Sequence, residues 1–501
     1  MGNLLLGIDC GLTVTKAAVF TEDGSELGMA SAAIGHESPH PRWIERDMNA
    51  VWINCARVVR EALAAAGAAG SDIAAIGVTG HGDGLYLVDG NGRPVRPAIL
   101  SMDSRAIDVL ERRSKRGLLE LALPLTGQIP FPGSSAALLA WAAEAEPESL
   151  ARARYVLGCK DWIKLKLTGE ASTDPTDASA TFPDVRTQSY SIEALRVYGL
   201  DGLESLLPPV IRSTDIAGWV TAEASEQTGL APKTPVISGL HDVDACAIGV
   251  GAIGPGELSI IAGSFSINQT VADHPIVDGR WLCRSFINPG QWLHLGVSPA
   301  SASNLEWFVS EIMSVPGQGQ MSRDRLFDLV EHEVQSALGR VREVWYLPFL
   351  YGSPLDNNAS AAFVGVRGWH SRADLARALF EGVVFNHLWH IRALASKFTF
   401  GTARLTGGGS RSATWGQMFA DAVGLPVAVT ASDECGVLGS ALCAATGTGR
   451  FASIQEAVKA TVKVRRTFEP RQTEHESLVE AFDTYSSLAS ALGPIWRRPT
   501  P

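Results

Sequence analysis

The strongest constraint on the fold is a pattern that occurs twice. Residues 4–9 (Leu-Leu-Leu-Gly-Ile-Asp) and 15–20 (Thr-Lys-Ala-Ala-Val-Phe) are short apolar runs joined by Cys10-Gly11-Leu12-Thr13-Val14, the pattern of a β-hairpin with a Gly-containing turn. Residues 256–271 (Gly-Glu-Leu-Ser-Ile-Ile-Ala-Gly-Ser-Phe-Ser-Ile-Asn-Gln-Thr-Val) again read strand, small-residue turn, strand. Two such hairpins half a chain apart point to a duplicated domain, each copy opening on a polar hairpin turn. With 501 residues the chain is too long for one ordinary core, so at least two domains with a cleft between them are expected.

Around the hairpins helical and strand periods alternate. Residues 49–66 carry apolar side chains at helical spacing, and Ile73–Thr79 and Leu85–Val88 read as strands flanking a Gly-rich turn. In the second half, Arg372–Leu394 and Ala413–Val423 read as helices and Val344–Leu350 as a strand. Val236-Ile237 before Ser238-Gly239 ends the last expected strand of the first half. The boundary is therefore drawn near residue 245, giving domains 1–245 and 246–501 of an α/β chain.

Charge and cysteine usage narrow the function. A net charge of −11 and the lack of a basic tract argue against a nucleic-acid partner. No apolar run approaches the roughly 18 residues needed to span a bilayer, and the first residues lead straight into a strand, so neither secretion nor a membrane is expected. The seven cysteines are scattered, without metal-site spacing, as expected of reduced thiols in the cytoplasm.

Four constellations could carry chemistry. In Asp9–Lys16 a turn with Gly11, Thr13 and Thr15 offers N–H groups and hydroxyls to a phosphate, Lys16 adds positive charge, and Asp9 can hold hydrated Mg²⁺. An ordinary hairpin with an exposed lysine has the same pattern. In Gly239–Gly251, Asp242 at a helix start is either a helix N-cap or a base that takes the proton of an attacking hydroxyl. Gly407-Gly408-Gly409 with Ser410, Arg411 and Ser412 permits close approach of a nucleoside just before a helix, or is a plain connection. His81 and Asp83, with Asp103 some twenty residues on, could converge on the hydroxyls of a polyol. There is no G-x-x-x-x-G-K-[ST], G-x-S-x-G, H-E-x-x-H or Rossmann G-x-G-x-x-G pattern.

In this order, along nearly the whole chain, the segments resemble the FGGY carbohydrate kinases. Leu6–Lys16 is similar to that family's first phosphate loop, Gly239–Gly251 to its catalytic segment, Ala262-Gly263-Ser264 to its second phosphate loop, and Gly407–Ser412 with Trp415 and Gln417 to its adenosine loop. Trp43–Asp47, Ala98–Arg105, Lys160–Glu170, Thr173-Asp174, Asp177–Ser179 and Glu434–Ala441 match further family segments. Glu45–Met48, Ile99–Ser101, Asn304–Phe308 and Leu347–Ser353 look most like the L-xylulose kinase branch, whereas Gly82-Asp83-Gly84 is also similar to erythritol kinases. Val243, after the aspartate, and Ser101, where related kinases often carry Trp, depart from the common pattern.

The resemblance implies two duplicated ribonuclease-H-like domains of the actin/hexokinase type and ATP-dependent phosphorylation of a small sugar or polyol. It places the general base on Asp242 and sugar contacts on His81, Asp83, Asp103 and Asp242. It places ATP and Mg²⁺ contacts on Asp9, Thr13, Thr15, Lys16, Gly263, Ser264, Gly408, Gly409 and Ser412, with Asp9 on the metal side. L-Xylulose is the first substrate expectation and erythritol the second, and a homodimer stays open. An actin- or chaperone-like ATPase, or a noncatalytic sugar sensor, would share the fold with a different task.

Overall fold

The computed structural model describes residues 2–313, 322–353 and 358–496. The chain forms two compact units that are not consecutive stretches of sequence. One comprises Met1–Ile253, Val271–His294 and Glu434–Val462; the other comprises Gly254–Thr270, Leu295–Asp433 and Lys463–Pro501.

In the first unit the expected hairpin forms from Leu4–Cys10 and Val14–Phe20, with Asp9 opposite Lys16 and Cys10 opposite Thr15. Its sheet runs Ile216–Trp219, Pro235–Ile237, Ile73–Gly80, Leu4–Cys10, Val14–Phe20, Glu26–Ala33. Leu4–Cys10 and Pro235–Ile237 both lie parallel to Ile73–Gly80, and the outer strand Ile216–Trp219 is antiparallel to Pro235–Ile237. The last expected strand of the first half is followed by a shorter one, Leu240–His241, also parallel to Ile73–Gly80.

The second unit repeats the scheme. Ser266–Ala272 is antiparallel to Glu257–Ala262, which is parallel to Thr402–Thr406, itself parallel to Val427–Thr430, with Val464–Phe468 antiparallel at the end. Both copies thus read hairpin, two parallel strands, one antiparallel strand, so the duplication expected from the hairpins extends through the sheets.

Helices form where apolar spacing and caps agree. Met48–Ala66 begins at Asp47, whose side chain accepts from the Asn49 N–H, and ends at Gly67 with φ 62°. Its buried Val51, Trp52, Cys55, Val58, Val59 and Ala62 pack on Val14–Phe20 and Glu26–Ala33. In the second unit Arg372–Ala395 starts with a Ser371/Asp374 capping box. It enters a core with Phe380, Phe385, Trp415, Phe419 and Tyr485. Val344–Leu350, expected as one strand, is strand only at Trp345–Leu347.

One layer of the first unit depends on missing side chains. Helix Cys435–Gly447 lies across the sheet so closely that a Cβ on Gly7 would sit 2.2 Å from the Val437 carbonyl oxygen. One on Gly77 would sit 1.8 Å from that of Ser440. The same helix crosses Asp242–Val250, where a Cβ on Gly249 would lie 1.9 Å from the Cys435 carbonyl oxygen. These contacts seat helix Cys435–Gly447 directly on the sheet and on helix Asp242–Val250. Among the described residues no helix is long and apolar enough to cross a membrane.

Candidate active site

Asp242 is the first residue of its helix, the N-cap position being His241, whose side chain makes no cap bond. The Asp242 side chain is 34% exposed while that of His241 is 5% exposed, and His241 Nε2 lies 3.3 Å from Asp242 Oδ1. Burial raises the Asp242 carboxyl above the ordinary range, with the His241 charge opposing.

His241 is gripped from behind. Its N–H donates to Thr176 Oγ1 at 2.8 Å, and its Nδ1 lies 2.8 Å from Asp177 Oδ1. Burial alone would lower the His241 pKa, but Asp177 and Asp242 raise it to about 9. Burial would likewise raise Asp177, yet Lys160 and His241 hold that carboxyl well below its usual range.

Beneath lies a buried network. Lys160 Nζ, fully inaccessible, contacts Asp161 at 2.5 Å and Asp174 and Asp177 at 3.2 Å each. Lys164 Nζ contacts Asp161 at 3.0 Å and the Ser238 carbonyl oxygen at 3.2 Å. Lys160, Asp161, Asp174 and Asp177 were legible as family segments, but a sequence gives no reason for their joint burial.

The expected sugar ligands separate. Asp83 has φ 58°; its Oδ2 accepts from Arg284 Nη2 at 3.0 Å, and its Oδ1 is buried without a hydrogen-bond partner. Arg284 also donates from Nε to Gln128 Oε1 at 2.8 Å and places Nη1 3.4 Å from His241 Nε2. Asp83 and Asp242 are therefore linked through Arg284 and His241. His81 is 3% exposed and its Nε2 lies 3.0 Å from the Tyr86 hydroxyl.

Asp103 corrects the expectation of a direct sugar contact. Its side chain is inaccessible and its oxygens accept from the Ile44 N–H, the Arg105 N–H and the Arg105 guanidinium. It is an internal partner of Arg105, which stacks over Trp43.

In the hairpin turn Thr13 is exposed and Lys16 half-buried, whereas Thr15, expected beside the phosphates, is 1% exposed. Lys16 pairs with Glu434, which raises its pKa against the effect of burial. Asp9 Oδ1 is buried without a partner. Burial and then Asp242 raise the Asp9 carboxyl to about 7, against Lys16.

In the second unit Gly263 and the exposed Ser264 form the hairpin turn, their carbonyl oxygens accepting from the N–H groups of Ala302 and Ser301. Gly407 has φ 85°, and a Cβ there would lie 2.7 Å from the Ala262 carbonyl. A Cβ on Gly409 would meet Ala262 at 2.8 Å, but one on Gly408 would meet nothing within 4 Å. Ser412 caps helix Ala413–Val423, accepting from the Trp415 N–H at 3.0 Å and donating to Glu331 at 2.6 Å.

Sequence reasoning missed Arg284, Gln128 and Glu331, and gave no role to His241 although it stands beside Asp242. Only a basic residue on a strand next to Cys283 marked Arg284, too weak a signal to single out.

Residues 4–249 match the N-terminal domain of the FGGY family of carbohydrate kinases and residues 258–448 its C-terminal domain. The chain is 34% identical to the L-xylulose/3-keto-L-gulonate kinase of Escherichia coli over 97% of either protein. It is 28% identical to the erythritol kinase of Brucella abortus over 99% of this chain and 97% of that one. A xylulose kinase structure from Rhodospirillum rubrum superposes with a TM-score of 0.84 at 27% identity, covering 99% of this chain and all of that one.

Proposed function

Because this chain belongs to the FGGY family of carbohydrate kinases, phosphotransferases with an alcohol acceptor, we propose that it transfers the γ-phosphoryl group of ATP to a hydroxyl of a ketopentose such as L-xylulose, with Asp242 as the base. The observation that carries this reading is the Asp242 carboxylate, reachable from outside while its supporting residues are buried. A carboxylate whose proton affinity burial has raised is suited to take the proton of an attacking hydroxyl.

Asp83 holds the sugar. Its unpartnered Oδ1 needs a donor, and a sugar hydroxyl supplies one. Thr13 and Lys16 face the phosphates of ATP, and the second unit, by itself, offers a nucleotide the backbone of Gly263, Ser264, Gly408 and Gly409. Asp9 is the residue to hold Mg²⁺, since its partnerless oxygen and raised pKa mark a buried carboxylate short of positive charge. Mg²⁺, when bound, neutralises charge on the transferring phosphoryl group. The scattered cysteines, set without metal-site spacing, favour the cytoplasm as the place of reaction.

The test is ADP release over a panel of ketopentoses, tetritols and pentitols, with wild type and Asp242→Asn. The ketopentose should give the highest kcat/KM, and Asp242→Asn should bind sugar but lose about 10²–10⁴-fold in kcat. Near wild-type kcat in Asp242→Asn would remove it as the base, and preference for a tetritol would move the substrate to the erythritol class.

A further inference from the structure

Among the buried titratable groups, His241 stands out because two carboxylates and one guanidinium converge on its two ring nitrogens. Nδ1 lies 2.8 Å from Asp177 Oδ1; Nε2 lies 3.3 Å from Asp242 Oδ1 and 3.4 Å from Arg284 Nη1. The ring is also held by shape. A Cβ on Gly82 would lie 1.6 Å from His241 Cε1 and 2.3 Å from Nε2, although Gly82 does not have the positive φ that would itself call for glycine. The absence of a side chain at position 82 is thus explained by the imidazole.

We propose that His241 is the positioning residue for proton transfer: anchored through Nδ1 to Asp177 and seated against Gly82, it donates from Nε2 to Asp242 and fixes the direction of that carboxylate. This rests on the reading of Asp242 as the base. The anchor is itself anchored, since the opposite oxygen of Asp177 meets Lys160 Nζ at 3.2 Å and the His241 N–H is bound by Thr176. The titratable and charged groups around the imidazole are the carboxylates of Asp177 and Asp242, the Arg284 guanidinium, and the Asp244 carboxyl, which burial pushes well above its ordinary range. With Asp177 and Asp242 both favouring the doubly protonated ring, the acceptor within reach of Nε2–H is Asp242 Oδ1 at 3.3 Å, since Arg284 Nη1 has no lone pair. The protonated state agrees with a pKa raised to about 9.

Two consequences separate positioning from mere packing. Removing the imidazolium takes away a charge that lowers the Asp242 pKa, so the acid limb of the kcat/KM profile should move to higher pH. Displacing the ring without removing it should lower kcat by the same route.

The experiment compares wild type, His241→Gln, His241→Ala, Gly82→Ala and the double variant Gly82→Ala/His241→Ala, with kcat, sugar KM and ATP KM measured across pH 5 to 9, roughly the span on which a perturbed carboxyl titrates. Expected are a loss in kcat of about 10- to 100-fold for His241→Ala, a smaller one for His241→Gln, and sugar KM within about threefold, below half of the tenfold step that 1.4 kcal/mol represents. The acid limb should move upward in both His241 variants. Gly82→Ala should lower kcat alone, yet cost little once His241 is Ala, because the ring it strikes is gone. An unmoved acid limb, or additive effects of Gly82→Ala and His241→Ala, would overturn the proposal. Asp242→Asn, run alongside, tells the two readings apart: if it remains active the base assignment falls, whereas an inactive Asp242→Asn with an unmoved limb in the His241 variants removes only His241.

Discussion

Gly439 passes so close to Ala245 that a Cβ at position 439 would lie 1.9 Å from the Ala245 carbonyl oxygen. The first atom of a side chain there can only be accommodated by moving helix Cys435–Gly447 away from helix Asp242–Val250, whose first residue is Asp242. Gly439→Ala is therefore expected to lower stability by about 1–3 kcal/mol and to reduce kcat in the molecules that fold. Denaturant titration with steady-state kinetics checks both; unchanged stability would mean the helices separate at no cost.

Arg284 holds Asp83 in a left-handed conformation at 3.0 Å and reaches Gln128 with its Nε. Arg284→Met keeps much of the volume and removes the donors. Sugar KM should rise about tenfold or more, the scale of a lost hydrogen bond to a charged group, while ATP KM changes little. Arg284→Lys should recover only part, since an ammonium cannot reproduce the fork. Equal effects on both substrates would mark Arg284 as structural.

Lys160 is surrounded by Asp161, Asp174 and Asp177 and has no access to solvent. Lys160→Met would leave three carboxylates without their shared cation, so a loss of about 3–5 kcal/mol is expected, as for breaking a buried ion pair from one side. Thermal unfolding measures it. A loss of only a few tenths of a kcal/mol would show that Lys164 compensates.

The glycine segment allows a clean separation of packing from binding. Gly408→Leu adds a side chain where nothing lies within 4 Å, so the fold should hold while ATP KM rises about tenfold, equivalent to ~1.4 kcal/mol. Gly409→Val strikes Ala262 and Trp415 and should lose stability first. Unchanged nucleotide affinity in Gly408→Leu would take this segment out of the nucleotide site.

Much of the fold was legible in local pattern. The helix over Ala413–Val423 appears with the bounds read from the sequence, and Met48–Ala66 and Arg372–Ala395 appear within a residue of theirs. Both hairpins were visible because a strand, a turn rich in small residues and a second strand are specified by about fifteen neighbouring residues. The site was legible less evenly. Asp242 was found with its role open between cap and base; Asp103 was read as a ligand because an exposed aspartate and one consumed by its neighbour's guanidinium look alike in sequence.

The sequence by itself determined the period of each element, the duplication, the two hairpin turns and the place of Asp242 at a helix start, since these depend on residues close along the chain. Tertiary structure alone decided that Arg284 reaches Asp83 and His241, that Asp177 stands behind His241, and that Gly7, Gly77, Gly249 and Gly439 are contact points between layers. Arg284 and Asp83 are 201 positions apart. No local propensity links such residues; packing brings them together, and the cost of leaving buried charge or hydrogen-bonding capacity unmet then selects their partners.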